Sequence, residues 1–318
     1  MTLPPINSHL TKQNKMILFA LGAKKGRLMH FYPHFAREDY NPKTGDYIPM
    51  WQKYARAHHG IKLSSAECNL TSFGQYSPAY PTTNEDWRFA MHELNPAGKS
   101  ILTVTGSGDQ PIAFVISGAH DVDTFDTTYF AKVIMDMKTS AIQTMTHNQY
   151  DAFVRQLRDT KFAPEIPGYE KITTVCPKSS IIATKQMKGC HIFKQGAGIR
   201  PEYLPDDNEY ILAKKFVTGP INFIWSDLQN LYTQLNKEYD IVYLSNIFEY
   251  FHKQTQITDV LNSLHPFIKN GGKVMLYTSW VQTNTSEQIE AAAHACGWGK
   301  TQSHNKQNAF MLTMQRMR

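Results

Sequence analysis

The chain has 318 residues, 42% of them hydrophobic and 12% aromatic, enough for one large domain or one domain with an appendage around a sizeable core. Its formal charge of +6 is spread over 33 cations, which favours a solvated surface over a nucleic-acid partner and leaves a small anion or a membrane surface as acidic partner. The four cysteines, Cys68, Cys176, Cys190 and Cys296, form no CxxC pair, which argues against a disulfide scaffold and a structural zinc site.

The opening MTLPPINSHLTKQNK is polar, with two prolines, and does not read as a signal peptide. The apolar piece MILFALGA is far short of the ~20 residues that cross a bilayer. The expectation is a cytoplasmic protein without a transmembrane segment, peripheral membrane contact remaining open. Residues 1–95 lack a βα rhythm and are rich in tyrosine: Tyr32, Tyr40, Tyr47, Tyr54, Tyr76 and Tyr80 all fall there. MWQKYARAHHG reads as a short helix stopped by Gly60. In QYSPAYPTTNEDWRFAMHEL a proline-bearing loop leads to a helix capped within Thr82–Asn84, with Glu85 and Asp86 in its first turn. This part is read as a helical and irregular cover. Its tyrosines serve either packing or an acceptor pocket. HFYPHF is interrupted by a proline, and His58 and His59 diverge on a helix, so no metal site is expected.

From residue 96 the texture is that of an α/β domain. ILTVT is a buried strand, followed by a helix over about Gln110 to Ser117, the strand HDVDTF and the helix TYFAKVIMDMKTSAIQTM. A helical and irregular insert covers about 148–214. INFIWSD (strand), LQNLYTQL (helix), YDIVYLSN (strand), a helix through VLNSLHPFI, GGKVMLYTSW (strand) and SEQIEAAAHACG (helix) follow. Strands near GWGKTQS and AFMLTMQ close as a hairpin. Unbroken apolar strands alternating with helices predict a doubly wound, Rossmann-like, mostly parallel seven-stranded sheet with an antiparallel edge strand.

Ligands of such sheets sit at the carboxyl ends of the strands. The residues there are Thr105, Gly106, Ser107, Gly108, Asp109 and Gln110 after the first strand and Asp126, with Thr127, after the second. Asp227 and Leu228 follow INFIWS, and Ser245 and Asn246 follow YDIVYL. Gly106 and Gly108 permit close backbone approach and positive φ. Asp126 stands about 20 residues after the glycines, where a carboxylate accepts both ribose hydroxyls. Asp227 suits the exocyclic amine of an adenine, or else caps the helix that follows. Asp109 and Pro111 disfavour a pyrophosphate, one by its charge and the other by deleting an amide. Both are tolerable for a phosphate-free adenosine with a cationic centre, such as S-adenosylmethionine (SAM). Walker A and G-x-S-x-G sequences are absent.

The stretch ILTVTGSGDQPIAFVISGAHDVDTFDTTYFAKVIMDMKTSAI resembles the SAM site of class I methyltransferases. More narrowly, with YDIVYLSNIFEYF, it is similar to proteins related to the betaine-lipid synthase, which transfers a 3-amino-3-carboxypropyl group from SAM to diacylglycerol. That resemblance implies a SAM-dependent transferase acting on a small-molecule or lipid acceptor, with a helix lysine near a small residue, here Lys138. Thr127 and Thr128 stand where the family has Asn-Pro after its acid. Methyl transfer and a non-catalytic SAM-binding protein are the alternatives. Tyr76, Tyr80, Glu249 and Tyr250 are the candidate catalytic groups.

Overall fold

The computed structural model describes residues 38–41, 46–49, 79–157, 165–186, 204–250, 254–278, 283–306 and 309–317. The expected helix MWQKYARAHHG lies outside them, as do Cys68 and Cys190. In the first part of the chain, β1 (Glu38–Asn41) and β2 (Asp46–Pro49) pair as an antiparallel hairpin, which the irregular reading of that part did not anticipate.

The main sheet has seven strands: β3 (Ser100–Val104), β4 (Asp121–Asp126), β5 (Asn222–Trp225), β6 (Tyr239–Tyr243), β7 (Ile268–Thr278), β8 (Trp298–Lys306) and β9 (Ala309–Arg316). Their order is β5-β4-β3-β6-β7-β9-β8. The pairs from β5 through β7 are parallel. β9 runs antiparallel to both its neighbours, so the antiparallel edge is the β8–β9 hairpin. Strand order reverses between β3 and β6, the place where open α/β sheets open a crevice.

Strand alternation sorts the core. Ile101, Ile241, Tyr243 and Met275 face one side, against Trp87, Ala90 and Leu94 of α1 (Trp87–Leu94) and Phe114 of α2 (Asp109–Ile116). Leu102, Val242, Leu244 and Val274 face the other, against α8 (Gln254–Leu264) and α9 (Thr283–Ala295). The long crossover helix α3 (Tyr129–Thr144) anchors a further cluster with α4 (His147–Leu157), α5 (Tyr169–Ile172), α6 (Lys178–Gln186) and α7 (Asp207–Phe216). These last four helices are the insert read from sequence. Among the described residues no helix is long and apolar enough to cross a membrane.

Two local expectations fail for the same reason. LQNLYTQL forms only a 3-10 turn, Leu231–Thr233. The Asp227 carboxylate takes both the backbone N–H and the side-chain amide of Asn230, a local alternative to helical hydrogen bonds. Likewise α1 does not begin after Thr82–Asn84. Its cap is Asp86, whose carboxylate accepts from the Phe89 N–H at 3.2 Å. Thr83 and Glu85 stay outside the helix because tertiary hydrogen bonds hold them.

Candidate functional site

A cavity of about 350 Å³ opens at the carboxyl ends of β3, β4 and β6, within the ~300–1,000 Å³ of small-molecule sites. Gly106, Ser107, Gln110, Asp126, Thr127, Asp227, Leu228, Ser245 and Asn246 line it, all expected from sequence. So does Tyr80. Thr105, Gly108 and Asp109 do not reach it. Tyr76 and the side chains of Glu249 and Tyr250 lie outside the described residues.

The GSGDQ turn has a front and a back. On the front, the Gly106 N–H donates to Asp126 Oδ2 at 2.9 Å. The Thr128 N–H donates to Oδ1 at 3.0 Å. Burial pushes the Asp126 carboxyl up to about 6, against the pull of these amides. The Thr127 hydroxyl is a third, longer donor to Oδ1 at 3.5 Å, and of a carboxylate's about four acceptor positions these bonds leave room for a ligand donor. Trp225 Nε1 donates to the Thr127 carbonyl at 2.9 Å and fixes the chain beyond the acid.

On the back, Gly108 caps α2 with φ +82°, and a Cβ there would stand 2.9 Å from Met135 Cα. Only glycine fits so close an approach of turn to α3. Pro111 sits in the first turn of α2, where its missing N–H costs nothing. Asp109 points away from the cavity into a sealed ion pair with Lys138 of α3. Its second oxygen accepts from the Thr83 N–H at 2.7 Å and from Ser107 Oγ at 2.8 Å. Burial lowers the Lys138 ammonium pKa, and Asp109 opposes the shift. The charge that the sequence set toward a cationic ligand is therefore spent inside the fold, and Lys138, fully buried, touches no ligand space.

The wall facing the turn was not foreseen. Glu85, expected in the first turn of a helix, is instead buried beside the cavity. Its carboxylate accepts from Tyr243 Oη at 2.5 Å, from Gln110 Nε2 at 3.2 Å and from Ser245 Oγ. Burial and the neighbouring Glu85 raise the Tyr243 pKa well above its ordinary value, so the phenol keeps the proton it donates. Ser245 adopts φ +54°, rare for a non-glycine residue. Its carbonyl accepts from the Tyr277 N–H at 2.9 Å, which, with the Glu85 bond, holds this conformation. Thr82, Thr83, Asn84, Val104, Phe125, Gln229, Ile247 and Gln256 complete the lining. The cluster TTNED beside a Tyr-Pro loop was the available signal for the first of these. Gln256, on α8, had none. Asp227 both caps its own turn and lines the cavity, so the two roles weighed for it coexist. Among the described residues no cluster of metal-ligating side chains occurs.

No protein-family model matches the chain, and no curated protein matches its sequence. Solved structures do share features of its architecture. A ribosomal protein L11 methylase from Lactobacillus delbrueckii subsp. bulgaricus is 10% identical, with 73% of this chain and 77% of that one aligned at a TM-score of 0.40. Magnesium protoporphyrin IX methyltransferase from Synechocystis PCC 6803, solved with bound SAM, is 12% identical over 72% and 76% of the two chains, at 0.39. The N-methyltransferase NodS from Bradyrhizobium japonicum, in complex with S-adenosyl-L-homocysteine, is 8% identical over 79% and 96%, at 0.37.

Proposed function

We propose that the cavity binds SAM and that the protein is a SAM-dependent transferase. The observation that carries this reading is Asp126. It ends the strand beside the glycine turn, is anchored by two backbone amides and more loosely by the Thr127 hydroxyl, lines the cavity, and keeps an acceptor position for a ribose hydroxyl, with a second one opened when the Thr127 hydroxyl turns away. Phe125 and Leu228 supply apolar walls for an adenine, and Asp227 an acceptor for its exocyclic amine. The back of the turn supports a ligand without phosphates. Pro111 removes an amide from the start of α2, and the Lys138 charge is neutralised by Asp109 rather than offered outward.

Bound SAM supplies a sulfonium whose neighbouring carbons are open to a nucleophile, with the electron pair of the broken bond returning to sulfur. The protein's part is to hold acceptor and donor in line. Tyr80, Thr82 and Asn84 bring the segment before α1 onto the cavity, which supports residues 1–95 as the acceptor-binding part. Tyr80 is the described candidate for taking a proton from that acceptor.

The resemblance of the GSGDQ and LSNI segments favours transfer of the 3-amino-3-carboxypropyl group to a small molecule or lipid. Methyl transfer is the second reading, since the lining residues suit either. Incubation with SAM and candidate acceptors separates them: methylthioadenosine accumulates after the first reaction, S-adenosylhomocysteine after the second. Tight SAM binding with neither product would identify a binding protein. Absence of SAM binding would overturn the reading altogether.

A further inference from the structure

Beside the glycine turn the cavity wall carries a buried oxygen without a partner and a carboxylate. Gln110 is buried, lines the cavity, and has its Nε2 committed to Thr83 Oγ1 at 2.6 Å and to Glu85 Oε2 at 3.2 Å. Its amide orientation is therefore fixed, because the flipped form would set an oxygen against a carboxylate. That leaves Oε1 buried without a partner, 3.8 Å from where a Cβ on Gly106 would stand. Thr82 Oγ1, buried on the same cavity, is also without a partner. Buried polar atoms are normally hydrogen-bonded, so the Gln110 oxygen, which can only accept, calls for a ligand that donates, and the Thr82 hydroxyl is able to accept as well. Glu85 lines the same cavity, its carboxylate held by Tyr243, Ser245 and Gln110.

From this we propose that Glu85 and Gln110 form an ammonium subsite. An ammonium has three donors and no acceptor, matching a wall of acceptors that includes a carboxylate. A phosphate or carboxylate group would meet repulsion there. The inference deepens the SAM reading and rests on it for the source of the ammonium. One source is the amino-acid end of the donor, the other an amine of the acceptor. Tyr243, which does not line the cavity, is a positioning residue that acts through Glu85.

The experiment is calorimetric titration of the full chain and of its Glu85→Gln variant with S-adenosylhomocysteine and with methylthioadenosine, which lacks the amino-acid end. If the donor's ammonium is bound, the variant loses about tenfold or more toward the first ligand and nothing toward the second. If an acceptor amine is bound, both affinities stand. NMR titration with n-butylammonium of the S-adenosylhomocysteine-loaded protein then shows binding to the wild type that the variant lacks. Equal losses for both nucleosides, or no loss with no butylammonium binding, overturn the subsite. Failure of the wild type to bind either nucleoside sinks the SAM reading instead, and the subsite then falls too unless the unloaded wild type, and not the variant, binds butylammonium. Gln110→Met, which removes Oε1 and keeps the chain length, guards against a misfolded first variant. Its weakening should follow the same ligand selectivity.

Discussion

The two faces of the GSGDQ turn put the same chemistry to opposite uses. Asp109 on the back and Asp126 on the front are both largely withdrawn from water. Asp109 is matched by a buried ammonium and turned inward. Asp126 is held by neutral amides and turned toward open space. A buried charge with a full counter-charge belongs to the fold. A carboxylate held only by neutral donors keeps an uncompensated charge, and this is what a ligand can use. The nature of the partner, more than the degree of burial, separates the two acids.

The comparison breaks most severely at Lys138. Lys138→Met leaves Asp109 buried without its counter-charge, and unfolding in denaturant should fall by about 3–5 kcal/mol. Replacing both, with Asp109→Leu added, should recover part of that loss. A wild-type stability for the single variant would mean that the back face is not the sealed pair described. On the front, Asp126→Ala should cost SAM binding about 3 kcal/mol, the worth of two hydrogen bonds to a charged group, while leaving the unfolding midpoint nearly unchanged. An unaltered Kd by calorimetry would remove Asp126 from the ribose.

The raised pKa of Asp126 also sets a pH dependence. Its folded value of about 6 exceeds the unfolded value near 3.8. The folded state therefore holds the proton more tightly, and this group's contribution to stability is complete below about pH 4 and is lost as pH rises through about 6. SAM binding should run the other way and weaken below about pH 6, where the carboxylate gives up acceptor positions to a proton. Asp126→Asn should flatten both profiles. At the seam between the faces, Gly108→Ala combines an unfavourable φ with a clash against Met135 and should destabilise by about 2 kcal/mol. Away from both faces, Asp86→Ala removes the α1 cap and should cost about 1 kcal/mol of stability with no change in ligand affinity.

The sheet was legible because its strands are nearly unbroken apolar runs, and the turn because glycine and proline mark it. Asp126 was legible from its interval to the glycines alone. The orientation of Asp109 was not, since its partner lies a helix away on α3 and no local pattern couples the two. Glu85 was misread for a related reason. TTNED has the composition of a helix start, but contacts to α2 and β6, with a local bond from the Glu85 N–H to Thr83 Oγ1, keep Thr83 and Glu85 out of the helix. The turn at LQNLYTQL shows the same competition on a smaller scale, with Asp227 and Asn230 satisfying each other before a helix can form.

The bond from Tyr243 to Glu85 joins residues 158 positions apart. At the ~5–20 residues per second of protein synthesis, the carboxylate leaves the ribosome on the order of ten seconds before the phenol that orients it. Through that interval Glu85 has no wall to belong to, and β3, β4 and the turn stand as an open half-crevice. Contacts so distant in sequence are late to form. The nascent chain thus holds β3, β4 and the turn well before the residue that orients Glu85.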